Sequence, residues 1–242
     1  MIDIDKKICQ CWNKISIEEI SKKFNIDQYS ILKILEANGK NKCHNREVPI
    51  NYFKEQILLS GIIGDGRLKV NGKMGNVYYS ECHAMDEYEY CIWKHKNLGL
   101  LTKSTKPYGK NLNNNYSDAI EFCTITTPSL KKYKNMAKLE IIKKLNPLGL
   151  ILLLLDDGWF SLHSKLGNFC LSTGELNIQE IDTLVDQYNK NGFINVHKIG
   201  VKRIDISFDS RNNNQIYHYI INYIPKDTDI IRKKFKYIKR MK

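Results

Sequence analysis

The sequence predicts an α+β fold made of two similar halves, and three observations predict it. Residues 51–146 and 147–242 each open with an apolar segment ending in Asp-Gly, LLSGIIGDG at 58–66 and LILLLLDDG at 150–158. Each segment leads into a glycine-containing stretch with strand-like alternation and then into a longer amphipathic helix. Two more strands and a closing helix follow, so the order helix-strand-strand-helix-strand-strand-helix occurs twice. We therefore expect two antiparallel sheets related by a pseudo-two-fold axis.

Residues 1–50 precede the repeats and predict a small helical unit. Ser16 and Glu19 have the S-x-x-E spacing of a capping box, which marks a helix start. A second helix is expected to begin near Asp27 and to stop at Gly39. Two short helices joined by a tight turn resemble a helix-turn-helix, although a plain hairpin that packs on the main body fits equally well. The last ten residues of the unit are mostly polar and predict a linker.

The remaining elements follow in the same order in each half. For the first half the pattern predicts a helix over 53–66, two strands within 66–83, a helix over 85–100, strands near 103–109 and 117–126, and a helix over 128–145. For the second half it predicts a helix over 147–158, two strands within 158–173, a helix over 175–192, strands near 194–199 and 202–208, and a helix over 209–223.

The charge balance favours a polyanionic partner. The formal net charge is +12 at pH 7, and residues 226–242 alone contain eight basic and two acidic residues. Nucleic acid and an anionic membrane surface are the usual partners of such a chain, although an AT-rich genome also enriches Lys and Asn without a functional reason. The basic tail is expected to lie on phosphates that flank a target, or else to be simply solvated.

Two features bear on the compartment. The N-terminus MIDIDKK has no apolar signal core, and the longest aliphatic run, 150–155, is far short of a bilayer span, so no membrane partner is expected. Seven scattered cysteines indicate reduced thiols in a cytosol-like compartment, such as a bacterial or phage cytoplasm or an organelle matrix. Cys9, Cys11, Cys43 and His44 could ligate zinc, but their spacing is not that of a zinc knuckle, so idle thiols are favoured.

Packing of the two apolar helices against each other would explain why each of them ends in an acidic residue. If they pack side by side at the pseudo-dyad, their aliphatic faces form the core between the halves. Close approach needs small residues at one-turn spacing, which Ser60 and Gly64 provide in the first helix, whereas the second has bulky Leu152 at the matching place. The fit should therefore be lopsided, with Asp65 and Asp157 facing each other at one end.

Two facing carboxylates at the negative ends of helix dipoles repel each other, so they predict a cation between them. Oxygen ligands favour Mg²⁺ (or Mn²⁺) over softer metals. A carboxylate-bound pair of such ions can support phosphodiester hydrolysis. The alternative is that both Asp-Gly pairs only end helices and begin turns, but their duplication in equivalent settings argues against this.

These two segments resemble the paired signature of the LAGLIDADG homing endonucleases, in the single-chain form with two motifs. The stretch LSTGELNIQEIDTLV is also similar to the segment that follows the second motif in the intron-encoded branch. The resemblance covers residues 51–242 and leaves the N-terminal unit unexplained. It implies a monomer whose saddle-shaped sheets straddle double-stranded DNA and which cuts both strands to leave short 3′ overhangs.

The resemblance also implies the metal ligands. Asp65 and Asp157 would bind the catalytic divalent ions, helped by the backbone carbonyls of Gly64 and Asp156. The side chain of Asp156 would support the metal shell or the packing rather than act as a further ligand.

The family places a lysine beside each active centre. Counting back from the second motif without gaps puts Lys134 at the position in the first half. In the second half Lys233 fits best, with Lys234 as the alternative. Each such lysine could polarise the attacking water or stabilise the transition state, or lie on a solvated face.

Polar side chains at alternating strand positions are candidates for DNA contact, because alternate residues of a strand share a face that could reach base edges in a major groove. The candidates are Arg67, Lys69, Asn71, Lys73, Tyr78 and Ser80 in the first half, and Ser161, His163, Lys165, Lys198, Lys202 and Arg203 in the second.

Three functions are compatible with these features. The leading one is a Mg²⁺-dependent, site-specific double-strand DNA endonuclease. The second is a maturase, an RNA-binding splicing cofactor whose partner would be its host intron RNA. The third is a cleavage-inactive DNA-binding regulator on the same fold, which would normally lose its acidic residues, whereas both are retained here.

Overall fold

The structure, a computed structural model, describes residues 2–12, 15, 17–39, 47–71, 75–103, 108–110, 119–162, 167–201 and 203–235. Several residues named above lie outside these ranges, namely Ser16, Cys43, His44, Lys73, His163, Lys165, Lys202 and the tail beyond 235. Within the described residues, every helix falls short of the length and apolar character that crossing a bilayer would require.

The N-terminal unit contains three helices, one more than the sequence pattern predicts. They are α1 (Ile2–Cys11), α2 (Ile17–Phe24) and α3 (Gln28–Ala37). Asp27 begins α3 as predicted, since its carboxylate accepts hydrogen bonds from the Ser30 amide and hydroxyl. Helix α1 is the one the pattern did not predict, and its Ile8 packs with Trp12, just beyond its end, into the same small core. The unit therefore has a core of its own.

The first half follows the predicted order, with one helix broken. It consists of α4 (Tyr52–Ile63), β1 (Gly66–Asn71), β2 (Asn76–Ala84), α5 (Tyr88–Leu98), β3 (Tyr108–Lys110), β4 (Ala119–Cys123), α6 (Lys131–Lys134) and α7 (Lys138–Lys144). The single closing helix expected over 128–145 is instead a 3₁₀ turn and two short helices, because the chain leaves the helical path after Lys134.

The second half matches its predicted order and adds one helix. It consists of α8 (Pro147–Asp157), β5 (Gly158–Ser161), β6 (Asn168–Ser172), α9 (Ile178–Lys190), β7 (His197–Ile199), β8 (Asp205–Ser207), α10 (Asn212–Ile221) and α11 (Asp229–Phe235). Asn146 caps α8, with Pro147 in its first turn, and a complete capping box at Asn177 and Glu180 opens α9.

The two sheets have the same topology, which confirms the duplicated α+β architecture. Each is antiparallel and four-stranded, in the orders β1-β2-β4-β3 and β5-β6-β8-β7. One continuous core connects the halves, and α4 and α8 pack directly against each other within it. The two apolar helices thus lie between the halves.

The packing of α4 on α8 brings a small residue near the start of the second helix against the first helix. A Cβ added at Gly149 would lie 2.3 Å from Oε1 of Gln56 in α4. That oxygen accepts a hydrogen bond from the Asn146 amide at 2.9 Å, while the Gln56 amide donates to the carbonyl of Lys144 at 3.1 Å. Gln56 therefore links the first helix to the start of the second.

A first prediction concerns the glycine within the first motif. A Cβ at Gly61 would lie 1.8 Å from the hydroxyl of fully buried Tyr79, which cannot move aside easily. Gly61→Ala is expected to lower the free energy of unfolding by about 1–3 kcal/mol, as overpacking of a close-packed core does. Urea unfolding measures this. Combined with Tyr79→Phe, which removes the clashing oxygen, the substitution should cost less than the sum of the two single changes, and strict additivity would contradict the packing argument.

Candidate active site

The ends of α4 and α8 bring the two Asp-Gly pairs together. A Cβ added at Gly64 would lie 2.5 Å from Oδ2 of Asp157, so the second carboxylate packs on the backbone that precedes Asp65. Only glycine allows this approach. The structure thus places one acidic side chain from each motif at the junction of the two halves, as expected for two helices meeting at a pseudo-dyad.

The electrostatics of this junction are unfavourable for two free carboxylates. Burial, followed by repulsion from Asp65 and Asp156, raises the pKa of Asp157 to about 7. Burial also raises the pKa of Asp65, partly offset by nearby His83. Burial therefore opposes the ionisation of both carboxyls.

The donor set at the junction fits a hard divalent cation. Among the described residues, no basic side chain lies within 4.0 Å of the Asp157 carboxylate, and it accepts no hydrogen bond there. Two carboxylates with main-chain carbonyls beside them supply only oxygen donors, which Mg²⁺ and Mn²⁺ prefer. A bound cation would also favour the ionised form of both carboxyls.

A second prediction follows from the raised pKa of Asp157. The neutral carboxyl is favoured in the folded chain, so its contribution to stability is present below its ordinary pKa of 3.8 and is lost as the pH rises through about 7. Without divalent ions, the free energy of unfolding of Asp157→Asn is expected to exceed that of wild type by about 1–2 kcal/mol at pH 8. This value allows for partial solvent screening. The difference should vanish near pH 4.

Urea unfolding in EDTA at several pH values measures this difference. Exposed Asp186 on α9 provides the matched control, and Asp186→Asn should change little. Added Mg²⁺ should stabilise wild type more than Asp157→Asn, because the variant lacks a ligand. Equal stability of wild type and Asp157→Asn at pH 8 would contradict the repulsion between the carboxyls.

The structure distinguishes the two lysines considered for the second half. Nζ of Lys234 lies 3.4 Å from the carbonyl oxygen of Asp156 and 2.5 Å from that of Gly158, and the side chain is largely buried. Nζ of Lys233 points elsewhere, 3.1 Å from Oδ1 of Asp86 and 3.0 Å from Oε1 of Glu87. Neighbouring residues of a helix diverge by roughly 100°, so only one of them can face the motif. Lys234, not Lys233, occupies the position next to the second Asp-Gly pair.

The lysine beside the junction in the first half also differs from the expectation. Lys134 is exposed at the end of α6, whereas Lys138, at the start of α7, lines the cleft that contains Gly64 and Asp157. The choice of Lys134 assumed that the two halves align without gaps. In the structure α6 ends at Lys134 and α7 begins at Lys138, and it is Lys138 that lines the cleft.

Asp156 points away from the cleft into a buried cluster of the first half. Its Oδ1 and Oδ2 lie 2.7 and 2.8 Å from Nζ of Lys94, and Oδ1 accepts a hydrogen bond from the Tyr90 hydroxyl at 2.9 Å. Lys94 is fully buried on α5 and also pairs with Glu81 of β2. The side chain of Asp156 is thus committed to Lys94 and Tyr90, while its carbonyl oxygen lies 3.4 Å from Nζ of Lys234.

The cluster extends to a buried histidine. Nε2 of His83 lies 2.8 Å from Oε1 of Glu81, and Nδ1 lies 3.4 Å from Glu87 and 4.0 Å from Asp65. Burial lowers the pKa of His83, but Glu81 outweighs it and raises the value to about 9. Likewise burial opposes ionisation of Glu81, yet Lys94 and His83 hold its pKa at about 2. This is an ion-pair network.

Glu81, His83 and Asp156 lie close enough together to suggest a metal site. The ammonium of Lys94 already lies among their oxygens and supplies the positive charge. Burial lowers the pKa of Lys94, but Asp156 and Glu81 outweigh that effect and raise it, so the lysine stays charged. The group is therefore not a second cation site. No pattern in EYEYCIWKHK distinguished this lysine from a solvated one.

In the first half the DNA-contact candidates share one sheet face. Arg67 is paired with Ser80 and Lys69 with Tyr78, and paired residues of antiparallel strands point to the same side. This side is opposite to that of core residue Tyr79. Arg67 and Lys69 are exposed and Tyr78 is half-buried, but Ser80 is buried and offers little surface. Asn71, also exposed, continues the same face.

In the second half, strand pairing separates the DNA-contact candidates that lie on the open face from the one that does not. Half-buried Ser161 lies on the open face. Arg203 lies at the same face, where its guanidinium contacts Ser172 and Asp205. Lys198 does not, because its partner in the sheet is the core residue Ile206 and its Nζ pairs with Asp182 on α9 at 2.5 Å. Lys198 therefore does not lie on the open face, where its contact with DNA was expected, because strand register and not charge decides the side.

Two residues on the open face were missed. Trp159, 39% exposed, has the same parity as Ser161 on β5, so the alternation rule could have identified it. His197 is exposed and paired with Ser207, on the face opposite to Lys198. Strand β7 has only three residues, too few for an alternating pattern to indicate which face His197 occupies.

Comparisons with known proteins agree with the duplicated fold. The family model described as the LAGLIDADG DNA endonuclease family matches residues 55–216. The structure of the homing endonuclease I-WcaI bound to its DNA recognition sequence is similar with a TM-score of 0.64, at 16% identity, over 84% of this chain and 92% of that one. I-DmoI in complex with DNA and Mn has a TM-score of 0.44, at 17% identity, over 71% of this chain and 98% of that one.

A curated relative is also similar over part of the chain. Protein RecA of Mycolicibacterium flavescens is 28% identical over 120 residues, which is 46% of this chain and 27% of the relative. The match thus spans about a quarter of that relative's length. The family model, in contrast, includes both motifs and well over half of the sequence. The chain belongs to the LAGLIDADG DNA endonuclease family.

Proposed function

We propose that this chain is a site-specific endonuclease that hydrolyses both strands of duplex DNA, with Mg²⁺ or Mn²⁺ held between Asp65 and Asp157. The observation that carries the proposal is the approach of the Asp157 carboxylate to Gly64, which juxtaposes the acidic ends of two buried helices. The cations would be held by the two carboxylates and the carbonyls of Gly64 and Asp156. When bound, they would supply a nucleophile from water and stabilise charge on the scissile phosphates.

The residues around the cleft have separate tasks in this proposal. Arg67 and Lys138 line the cleft with Asp157 and would neutralise phosphate oxygens beside it. Lys234 donates to the carbonyls of Asp156 and Gly158, so it holds the turn after the second helix and brings a positive charge near the second centre. Burial lowers the pKa of Lys234, which suits a group that exchanges a proton with water or a leaving oxygen.

The open faces of the two sheets would contact the duplex. Arg67, Lys69 and Tyr78 in the first half offer donors and an aromatic ring, while Trp159 and Arg203 do so in the second. Alternate residues would reach base edges, whereas flanking basic residues would meet phosphates. Residues 1–39 contain six basic and six acidic residues, so the charge that attracts DNA lies in the repeats and the tail.

Retention of both carboxylates favours cleavage over a regulator that only binds DNA. The test is a selection from a library of randomised duplexes, in which cut ends are captured after incubation with Mg²⁺ or with EDTA. We expect enrichment of one long, partly degenerate site that is cut on both strands only with the divalent ion. Cutting in EDTA, or failure to enrich any site while the protein is folded, would count against the proposal.

A further inference from the structure

The two motifs differ at the residue that precedes the acidic ligand. The first has Gly64 there and the second has Asp156. Gly64 has no side chain and is touched by Asp157, whereas Asp156 sends its carboxylate out of the second half and into the first. The pseudo-two-fold symmetry of the two centres is therefore broken by this residue.

The carboxylate of Asp156 is enclosed by the first half. Both of its oxygens lie within 2.8 Å of Nζ of Lys94, and the Tyr90 hydroxyl donates to Oδ1 at 2.9 Å. Tyr90 and Lys94 are fully buried on α5, and the Lys94 ammonium lies 4.8 Å from the centroid of the Tyr90 ring. The Trp93 ring stacks on Tyr90 with an interplanar angle of 10°. These contacts hold the Asp156 side chain within the first half.

The same contacts are anchored to the first motif. Lys94 pairs with Glu81, and Oε2 of Glu81 accepts a hydrogen bond from the Tyr79 hydroxyl at 2.5 Å. A Cβ at Gly61 would lie 1.8 Å from that hydroxyl and a Cβ at Gly66 2.2 Å from it, so Tyr79 is seated between α4 and β1. Polar contacts thus run from Asp156 through Lys94 and Glu81 to Tyr79, which packs against Gly66 of the first Asp-Gly pair.

We propose that Tyr90 and Lys94 are positioning residues for the second active centre. By holding the side chain of Asp156 they fix its carbonyl and the adjacent carboxylate of Asp157, so the first half sets the geometry of the ligands from the second half. Gly64, the counterpart of Asp156 in the first motif, has no side chain that could be held in this way. The inference rests on the proposed function, because positioning Asp157 matters for cleavage only if Asp157 holds the cation. Tyr90 and Lys94 themselves would not touch the DNA.

The consequence is an asymmetry between strands. Under the proposed function, each of the two carboxylates would serve the scissile phosphate on its own side of the pseudo-two-fold axis, so loosening Asp157 would act mainly on one strand. Loss of a group that orients a metal ligand commonly costs about 10–100-fold in metal affinity or activity. A merely structural contact would instead lower stability and slow both strands together.

Tyr90→Phe tests this with little disturbance, because it removes only the hydroxyl. The matched control is Tyr188→Phe, since Tyr188 is also fully buried, lies on the equivalent helix α9, and donates to the Leu150 carbonyl of α8 at 2.8 Å. A second pair compares Asp156→Ala with Asp156→Asn, whose amide oxygen can still accept from Tyr90 and Lys94. All variants are used as the full chain, with unfolding measured in parallel.

The rates of nicking of each strand are measured on a duplex selected with wild type, using end labels on both strands in Mg²⁺. We expect Tyr90→Phe to slow one strand by about 10–100-fold and the other by about twofold or less. Asp156→Ala should do the same and Asp156→Asn should recover part of the loss, while Tyr188→Phe leaves the ratio of the two rates unchanged. Equal slowing of both strands, or an unchanged ratio in Tyr90→Phe, overturns the proposal.

A titration with Mn²⁺ alone, without DNA, separates this inference from the function itself. Tyr90→Phe should bind Mn²⁺ about 10-fold or more weakly than Tyr188→Phe. If wild type cuts no duplex, the proposed endonuclease activity fails, and the Mn²⁺ titration still decides the positioning role. Equal Mn²⁺ affinity of the two variants overturns that role.

Discussion

Asp65→Asn and Asp157→Asn are each expected to lower the rate of DNA cleavage by at least about 10³-fold. Each change keeps the shape of the side chain but removes a charged oxygen ligand, and cations in such a site contribute several kcal/mol to the transition state. Duplex affinity should stay the same or rise, because a negative charge facing phosphates is removed. Single-turnover cleavage and equilibrium binding of the selected duplex measure the two effects separately.

Asp186→Asn is the control for these two variants, since Asp186 is exposed on α9 and lies outside the cleft. It should cleave and bind as wild type does. Cleavage that survives in both Asp65→Asn and Asp157→Asn would show that the acidic pair is not the active centre. Loss of binding together with cleavage would indicate that the carboxylates support the fold rather than the reaction.

Lys94→Met is expected to lower the free energy of unfolding by about 3–5 kcal/mol, because it leaves Glu81 and Asp156 as buried charges without their shared partner. Lys94 is fully buried and pairs with both carboxylates. Methionine has a similar length and fills the space, so the loss is electrostatic and not a cavity effect. Urea unfolding monitored by circular dichroism measures it.

A surface lysine provides the matched comparison. Lys132 pairs with Glu55 at 3.4 Å with 58% of its side chain exposed, so Lys132→Met should cost about 0–1 kcal/mol. Adding Asp156→Asn to Lys94→Met should recover part of the stability, since one uncompensated charge is removed. Equal losses for Lys94→Met and Lys132→Met would be inconsistent with a buried network.

The order of elements could be predicted because local patterns specify it. The apolar runs at 58–63 and 150–155, the alternation after each Asp-Gly pair and the capping residues all operate within a few positions of sequence. The same is true of Asp65 and Asp157, since a carboxylate that ends an apolar helix must reach the surface of the core. Two equivalent segments then implied a shared site.

The positions of the lysines, in contrast, are not specified by local patterns. The choice of Lys134 depends on a count that assumes no gap between the two halves, whereas in the structure Lys138 lines the cleft. Lys233 and Lys234 are adjacent, and only the packing of α11 decides which of them faces the second motif. In the same way, strand register decided that Lys198 lies on the face with Ile206.

The two repeats, the paired helices and the acidic residues at their ends can all be predicted without a structure, because each depends on hydrophobic periodicity and on helix termini that neighbouring residues specify. The fold was needed to show which basic groups lie beside the junction, and that Lys94 and Tyr90 of the other half hold Asp156. The physical reason is that these contacts join residues more than sixty positions apart, where the direction of a side chain depends on packing and register rather than on its neighbours in sequence.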